Sequence, residues 1–514
     1  MSFLRATFTI GAMTIISRLL GFVRDVLSAN IMGAGLVADA FFVALKLPNF
    51  FRRMTAEGAF SVSFVPLFTR TLQEDGKDAA REFASQAMMW MSAILIPVSI
   101  LAIIFMPHVI FLIAPGFDTD PERYALGVTL SRITFGYLFL MSLVALLGGI
   151  LNTMDRFAPF AAAPIVFNAV MIVMLVFATP ILPTAGHALA IGVLLAGILQ
   201  FIWMAVHLYK LGFHIKLQRL QLTPKIKRLF KLMGPGIIGA SAVQINLLVD
   251  IILASMLPIG AVSYLYYADR LNQLPLGLIG TAVGTALLPK LASKFTSNDH
   301  QGAAFLFNRA LELTLLLTIP AATALAVMPH EIIAVLFERG AFTAHDTANT
   351  ARALFAYALG LPAYVAIKIF ATSLYAKEDT ATPVKITVIC VAFNTVLALL
   401  LIKPLGHVGL ALATTVAAWL QLAIFMVLML RQKHIGFDAA LQKNIAKTVI
   451  VCVLMALVLI FTRMGVQGWI DETGLKRLIG VAIMMALGGG VFLAAMFGWR
   501  VVDLKQWRDY FIKG

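Results

Sequence analysis

Ala38-Asp39-Ala40-Phe41-Phe42-Val43-Ala44-Leu45-Lys46-Leu47-Pro48-Asn49-Phe50-Phe51-Arg52-Arg53 is too apolar for a surface segment and too charged for an ordinary membrane span. On a helix, at 100° per residue, Asp39, Lys46, Asn49, Arg53, Glu57 and Ser61 fall within an arc of about 120°. Arg52 points elsewhere, and Pro48 is a kink point that blurs the phase. The stretch before it is built alike: Thr14, Arg18, Gly21 and Asp25 follow at spacings of four, three and four, one helical face. An ionisable group at the bilayer centre costs about 2.5–3.5 kcal/mol on insertion scales, so these faces belong against water or a charged partner.

The whole chain shares the apolar background. Of 514 residues, 61% are hydrophobic and 13% charged, and mean hydropathy is +0.92; soluble domains are roughly 45–50% apolar and 25% charged. Hydropathy predicts an all-α polytopic membrane protein with fourteen spans, near 6–31, 36–66, 85–113, 124–152, 158–180, 187–209, 232–257, 264–289, 304–328, 348–376, 382–402, 406–430, 446–463 and 478–499. The first stretch lacks a small-residue cleavage site, so it is expected to be retained. Cys390 and Cys452 have neither metal-ligand nor redox spacing and read as core filler.

Charge gives sidedness. With the N-terminus inside and charges at span ends assigned to the adjoining loop, 25 of the 40 Lys and Arg lie inside, 6 outside and 9 within spans. The positive-inside rule then places both termini in the cytoplasm of a bacterial inner membrane. The formal charge of +15 therefore needs no nucleic acid. Lys210, Lys216, Arg219, Lys225, Lys227, Arg228 and Lys231 form one acid-free segment, expected along the anionic inner leaflet. The loop Ala114 to Arg123, with Asp118, Asp120 and Glu122, has the opposite balance and belongs outside.

A weak repeat organises the spans. Asp25 is matched by Asp250, Ala38-Asp39 with Leu47-Pro48 by Ala268-Asp269 with Leu274-Pro275, and Phe64-Val65-Pro66 by Leu287-Leu288-Pro289. Offsets of 223 to 230 residues make two six-span lobes in the same orientation, 1–215 and 216–435, with spans thirteen and fourteen and a cytoplasmic tail in 436–514. Two lobes around a midplane cavity is a transporter arrangement. The cations within spans are Arg18, Arg24, Lys46, Arg52, Arg53, Arg132, Arg270, Arg352 and Lys368; the acids are Asp25, Asp39, Glu57, Asp250, Asp269 and Glu312. The excess of cations predicts an anionic ligand, and the planar arginine fork suits phosphate or diphosphate oxygens. Internal pairing is the competing reading: Arg24 or Arg18 with Asp25, Asp39 with Lys46 or an arginine of span one, Arg53 with Glu57, Arg270 with Asp269. No nucleotide-binding, zinc-protease or nucleophile-elbow motif occurs, so bond chemistry is not expected.

Ser17-Arg18-Leu19-Leu20-Gly21-Phe22-Val23-Arg24-Asp25, the quoted span-two run and Ala56-Glu57-Gly58-Ala59-Phe60-Ser61 closely resemble the MurJ (MviN) lipid II flippases of bacteria. Tyr266 to Leu271 and Thr382-Pro383-Val384-Lys385 agree, and the similarity runs through essentially the whole chain. The resemblance implies a multidrug/oligosaccharidyl-lipid/polysaccharide (MOP) exporter fold working by alternating access. It also implies transport of lipid II, the undecaprenyl-diphosphate-linked peptidoglycan precursor, from the cytoplasmic to the periplasmic leaflet. Its partners would be that lipid, membrane lipids and cell-wall synthesis proteins. Family positions of functional importance match at Arg18, Arg24, Asp25, Asp39, Arg52 and Arg270, with Ser17, Lys46, Arg53 and Glu57 close by. The polyprenyl tail would lie along a groove lined by the last two spans. Some members bind sodium; Asp250, Asn394 and Thr414 match that candidate Na+ site, but Ala398 stands where a second carboxylate is expected. The competing functions are an exporter of drugs or O-antigen units from the same superfamily, a non-transporting cell-wall scaffold, and a lipid-modifying enzyme.

Overall fold

The computed structural model describes residues 3–53, 60–216, 218–432, 436–499 and 501, with side chains except at 3–8, 235–243, 281–282, 285–286 and 432. The described residues form eighteen α-helices and no strand, as expected where backbone groups must be satisfied within each segment in lipid. They fall into two compact units, Met1–Ser263 with Arg339–Phe342, and Tyr264–Glu338 with Thr343–Gly514.

The first unit holds α1 (Phe3–Met32), α2 (Leu36–Arg52), α3 (Ser61–Glu74), α4 (Gly76–Ile104), α5 (Met106–Ile113), α6 (Pro121–Phe135), α7 (Tyr137–Thr153), α8 (Ala158–Val173), α9 (Ala185–Lys210) and α10 (Pro224–Ser255). Phe60, Phe64, Phe68 and Phe83 form its aromatic spine, with ring centroids 5.0 to 5.5 Å apart. Leu146, Leu147 and Ile150 of α7 close over it. α1 packs on α8, and α2 on α6 and α9.

The second unit holds most of α11 (Ala261–Thr296), then α12 (His300–Val327), α13 (Pro329–Phe337), α14 (Ala344–Ala358), α15 (Leu361–Tyr375), α16 (Ala381–Gln432), α17 (Ala439–Ile470) and α18 (Leu475–Gly498). Phe307, Phe370 and Phe425 are fully buried in its core. α16 is two helices folded at Gly406, whose φ of +56° lies in the left-handed region. A Cβ on Gly409 would stand 2.4 Å from the Leu401 carbonyl oxygen. Residues eight apart on a straight helix are about 12 Å apart, so the chain doubles back here. α17 and α18 pack on each other, α17 on α12 and α18 on α13. Ile450, Val453, Leu454, Leu457 and Phe461 of α17 are exposed. Such a large apolar face belongs in lipid.

Nine helical stretches among the described residues are long and apolar enough to cross a membrane, so the chain is a multi-pass membrane protein, although this measure does not reach the expected fourteen. One of the nine, Ala381–Arg431, contains the fold at Gly406 and covers two expected spans. α1 is long enough but carries Arg18, Arg24 and Asp25. Expected spans three, four and ten are among the nine, although their helices break near Phe105, Gly136 and Gly360. Division by packing also differs from division by the repeat. α10, which the repeat assigns to 216–435, packs on α3, α4 and α5 in the first unit, and α17 and α18 belong to the second.

Candidate functional site

Asp39 stands in the first turn of α2 and is fully buried. A buried carboxylate persists only where donors replace water, and four converge on it. Arg123 Nη2 donates to Oδ2 at 2.6 Å, and the Gly260 amide to the same oxygen at 2.8 Å. The amide and hydroxyl of Ser263 donate to Oδ1 at 2.9 and 2.6 Å. Gly260 has φ +96°, a conformation that brings its amide inward and that a side chain would oppose. Arg123 is placed by the start of α6: Asp120 caps the helix by accepting from the Glu122 and Arg123 amides, and Pro121 fills the first position. Its guanidinium lies 4.1 Å from the Phe117 ring centroid and also donates to the Ser255 and Leu257 carbonyls. This corrects the expected partner. The cation on Asp39 is Arg123, which the charge pattern assigned to an outside loop, and not Lys46 or an arginine of α1.

Arg24 and Asp25 do pair, as one reading expected. Arg24 Nη2 lies 2.7 Å from Asp25 Oδ1, Nη1 donates to Asn168 Oδ1 at 3.0 Å, and Phe167 lies beneath the guanidinium. Asn168 donates in turn to the Ser17 carbonyl at 3.1 Å, which fixes the α1–α8 crossing. Gly21 permits that crossing, since a Cβ there would stand 3.4 Å from Asn168 Nδ2.

The other expected residues are distributed. Arg18 and Arg53 are exposed, Lys46 and Arg52 half-buried, and Arg52 Nε donates to Asn49 Oδ1 at 3.1 Å. Glu57 lies outside the described residues. In the second unit, the Arg270 guanidinium lies 4.7 Å from the Tyr266 ring centroid, and Asp269 accepts from Gln273. For the sodium expectation, Asp250 belongs to the first unit and accepts from Asn246 at 3.3 Å. Asn394 and Thr414 belong to the second, where the Thr414 hydroxyl is turned onto the Leu410 carbonyl. One carboxylate, one amide and one hydroxyl fall short of the six to eight oxygens of a fully ligated hard cation. No group of three His, Cys, Asp or Glu capable of sharing an ion occurs among the described residues.

Sequence reasoning missed Arg123, Gly260, Ser263 and Asn168. Arg123 was hidden by its acidic neighbours; its one signal was the Asp-Pro-Glu-Arg helix start at 120–123. It also missed a partly buried network in the second unit. Arg309 pairs with Glu312 and, through Nη2, with both Asp438 oxygens at 2.7 and 2.6 Å, while Asn444 donates to Glu312 at 2.6 Å.

The sequence profile of the family described as lipid II flippase MurJ matches residues 28–480. The chain is 42% identical over 462 residues to the "Probable lipid II flippase MurJ" of Rhizobium meliloti (strain 1021), covering 89% of this chain and 86% of the relative. It is 36% identical to the "Lipid II flippase MurJ" of Burkholderia cenocepacia, covering 85% of each. Among solved structures, "Lipid II flippase MurJ, inward closed conformation" superposes with a TM-score of 0.80 at 29% identity, over 96% of this chain and 98% of that one. An inward-facing multidrug transporter of the MOP superfamily matches with a TM-score of 0.68 at 13% identity, over 85% and 99%, which shows the shared fold.

Proposed function

This chain belongs to the lipid II flippase MurJ family, and from that premise we propose that it carries lipid II across the bacterial inner membrane, diphosphate head first, by alternating access. The observation that carries the reading is the cage around Asp39. A transporter needs a closure that is firm when shut and reversible. An apolar plug would expose hydrocarbon to water on opening; a carboxylate and a guanidinium are rehydrated instead, which offsets much of the lost bonding. Asp39 draws donors from the start of α6 and from the turn at Gly260 and the start of α11, so one side chain ties three separated segments of the first unit. The charge asymmetry supports an outer-end position for this closure, with both termini in the cytoplasm.

Substrate recognition falls to the cations. Arg18 and Arg53 are exposed and Lys46 and Arg52 half-buried, while Asp25 and Asn168 hold Arg24 in a set direction. Such forks suit diphosphate oxygens without acting on any bond. Arg270, steadied by Tyr266, supplies a recognition cation in the second unit. The tail, as insoluble in water as the head is in hydrocarbon, stays in lipid against the apolar faces of α17 and α18.

Purified protein in vesicles with a labelled polyprenyl-diphosphate saccharide lipid tests the reading. Label should cross to the opposite leaflet with its mass unchanged. A scaffold moves nothing, an enzyme changes the mass, and a drug exporter ignores this lipid. Orientation is tested separately: a cysteine at Thr119 should react with an impermeant thiol reagent on spheroplasts, and one at Lys225 should not. The reverse pattern inverts the assignment.

A further inference from the structure

The second unit carries an open cavity of about 680 Å3, where the start of α13, one face of α14, the fold of α16 and the end of α17 meet. Its polar lining is cationic. His330, Arg352 and Arg463 face it, and no carboxylate is among its lining residues. The remainder is apolar, led by Phe355 and Leu405, each 44% exposed. Arg463 is anchored along one edge, its Nε 2.7 Å from an oxygen of the fully buried Glu331, and its side chain is half-exposed. Arg352 is exposed and has no hydrogen-bond or ion-pair partner among the described residues. A helix end in a membrane would bury such a cation in a pair or turn it to water; here two guanidinium groups border an apolar surface.

Two forks beside an apolar wall match an amphiphile whose anionic group takes bidentate hydrogen bonds while its chain stays in hydrocarbon. A free anion would leave Phe355 and Leu405 facing water. We propose that this cavity binds the phosphate of an anionic membrane lipid between Arg352 and Arg463, with the lipid's chain against Phe355 and Leu405. The cavity's rim includes Pro404 and Leu405, a connection that the charge asymmetry places outside, so the lipid comes from the outer leaflet. The site lies within the second unit and does not depend on which head group the protein flips.

Thermal unfolding of the full chain in uncharged detergent, titrated with four probes, tests it. Phosphatidylglycerol and polyprenyl monophosphate share the lipid phosphate; phosphatidylcholine and inorganic phosphate are controls. At least one of the first two should raise the midpoint saturably, the larger shift identifying the source, and both controls should do little. Arg352→Gln breaks no hydrogen bond or ion pair among the described residues and should weaken the apparent affinity about tenfold, with Arg352→Lys intermediate because it keeps charge but not the fork. Glu331→Gln combined with Arg463→Gln, which avoids stranding the buried acid, should weaken it similarly. No preference over phosphatidylcholine, an equal shift from inorganic phosphate, or an unaltered response in Arg352→Gln would each overturn the proposal.

Discussion

Each unit contains its own ion network, a fully buried one around Asp39 in the first and a partly buried one around Arg309 in the second, and they are built on opposite plans. Around Asp39 one acid collects every donor, and three of its four bonds come from Gly260 and Ser263, distant in sequence from α2. Around Arg309 one cation is shared by two acids, Glu312 three positions further along the same helix and Asp438 at the start of α17. The first has no substitute for its central group. The second is redundant, since removing either acid leaves Arg309 paired. A cage that depends on one side chain can open as a unit, whereas a shared cation resists separation of the helices it joins. The comparison therefore separates a network that depends on one side chain from one that shares its load.

The largest expected effect is at Asp39. Asp39→Asn leaves Arg123 charged, buried and without its anion, a loss of about 3–5 kcal/mol where burial is complete. Thermal unfolding in detergent should show a marked drop, and growth complementation should fail at matched membrane abundance. Arg123→Gln should do the same, and a double variant should lose much less than the sum. Additive losses would break the comparison by showing that the two do not act as a pair.

A smaller effect is expected at Glu312. Glu312→Gln costs Arg309 one acid and keeps the other, so the loss should be about 1.5–3 kcal/mol, that of hydrogen bonds to a charged group. A loss as large as that of Asp39→Asn would remove the distinction between the networks. The smallest effect is at Asp438, which also caps α17 by accepting from the Leu441 amide at 2.7 Å. Asp438→Asn keeps the cap and should cost about 1 kcal/mol or less, while Asp438→Ala adds a further loss of about 1 kcal/mol. Equal losses for the two would mean that the cap contributes nothing and the ion pair everything.

How far each feature could be read from the chain follows from how far it reaches. Arg24 beside Asp25, and the helices themselves, depend on residues within one or two turns, and helical periodicity reports on that range. Asp39 and Arg123 are 84 positions apart, and Asp39 and Ser263 are 224 apart. A helical face shows that Asp39 must be paired and says nothing about which distant helix provides the partner. The nearest cation, Lys46, was the natural expectation and the wrong one. Division by repeat and division by packing differ for a related reason: the repeat records which spans resemble each other, while α10 packs by the fit of its surface to α3, α4 and α5. The resemblance to a family was carried by short runs in α1 and α2, and for that reason needed no tertiary knowledge at all.

The fold of α16 at Gly406 bears on how the protein is made. Between its two arms the chain offers no hydrophilic loop that must be hauled through the membrane by itself; only Lys403 is charged in the Lys403 to Gly406 connection. Passing one lysine across the hydrocarbon centre costs about 2.5–3.5 kcal/mol on insertion scales, and each leucine, isoleucine or valine of the arms returns about 0.3–0.6 kcal/mol. A modest number of apolar residues outweighs the lysine, so the energetics favour insertion of the two arms together as one hairpin. A side chain at Gly406, which has a left-handed φ, or at Gly409, where a Cβ would meet the Leu401 carbonyl, would oppose the tight turn that such a hairpin needs.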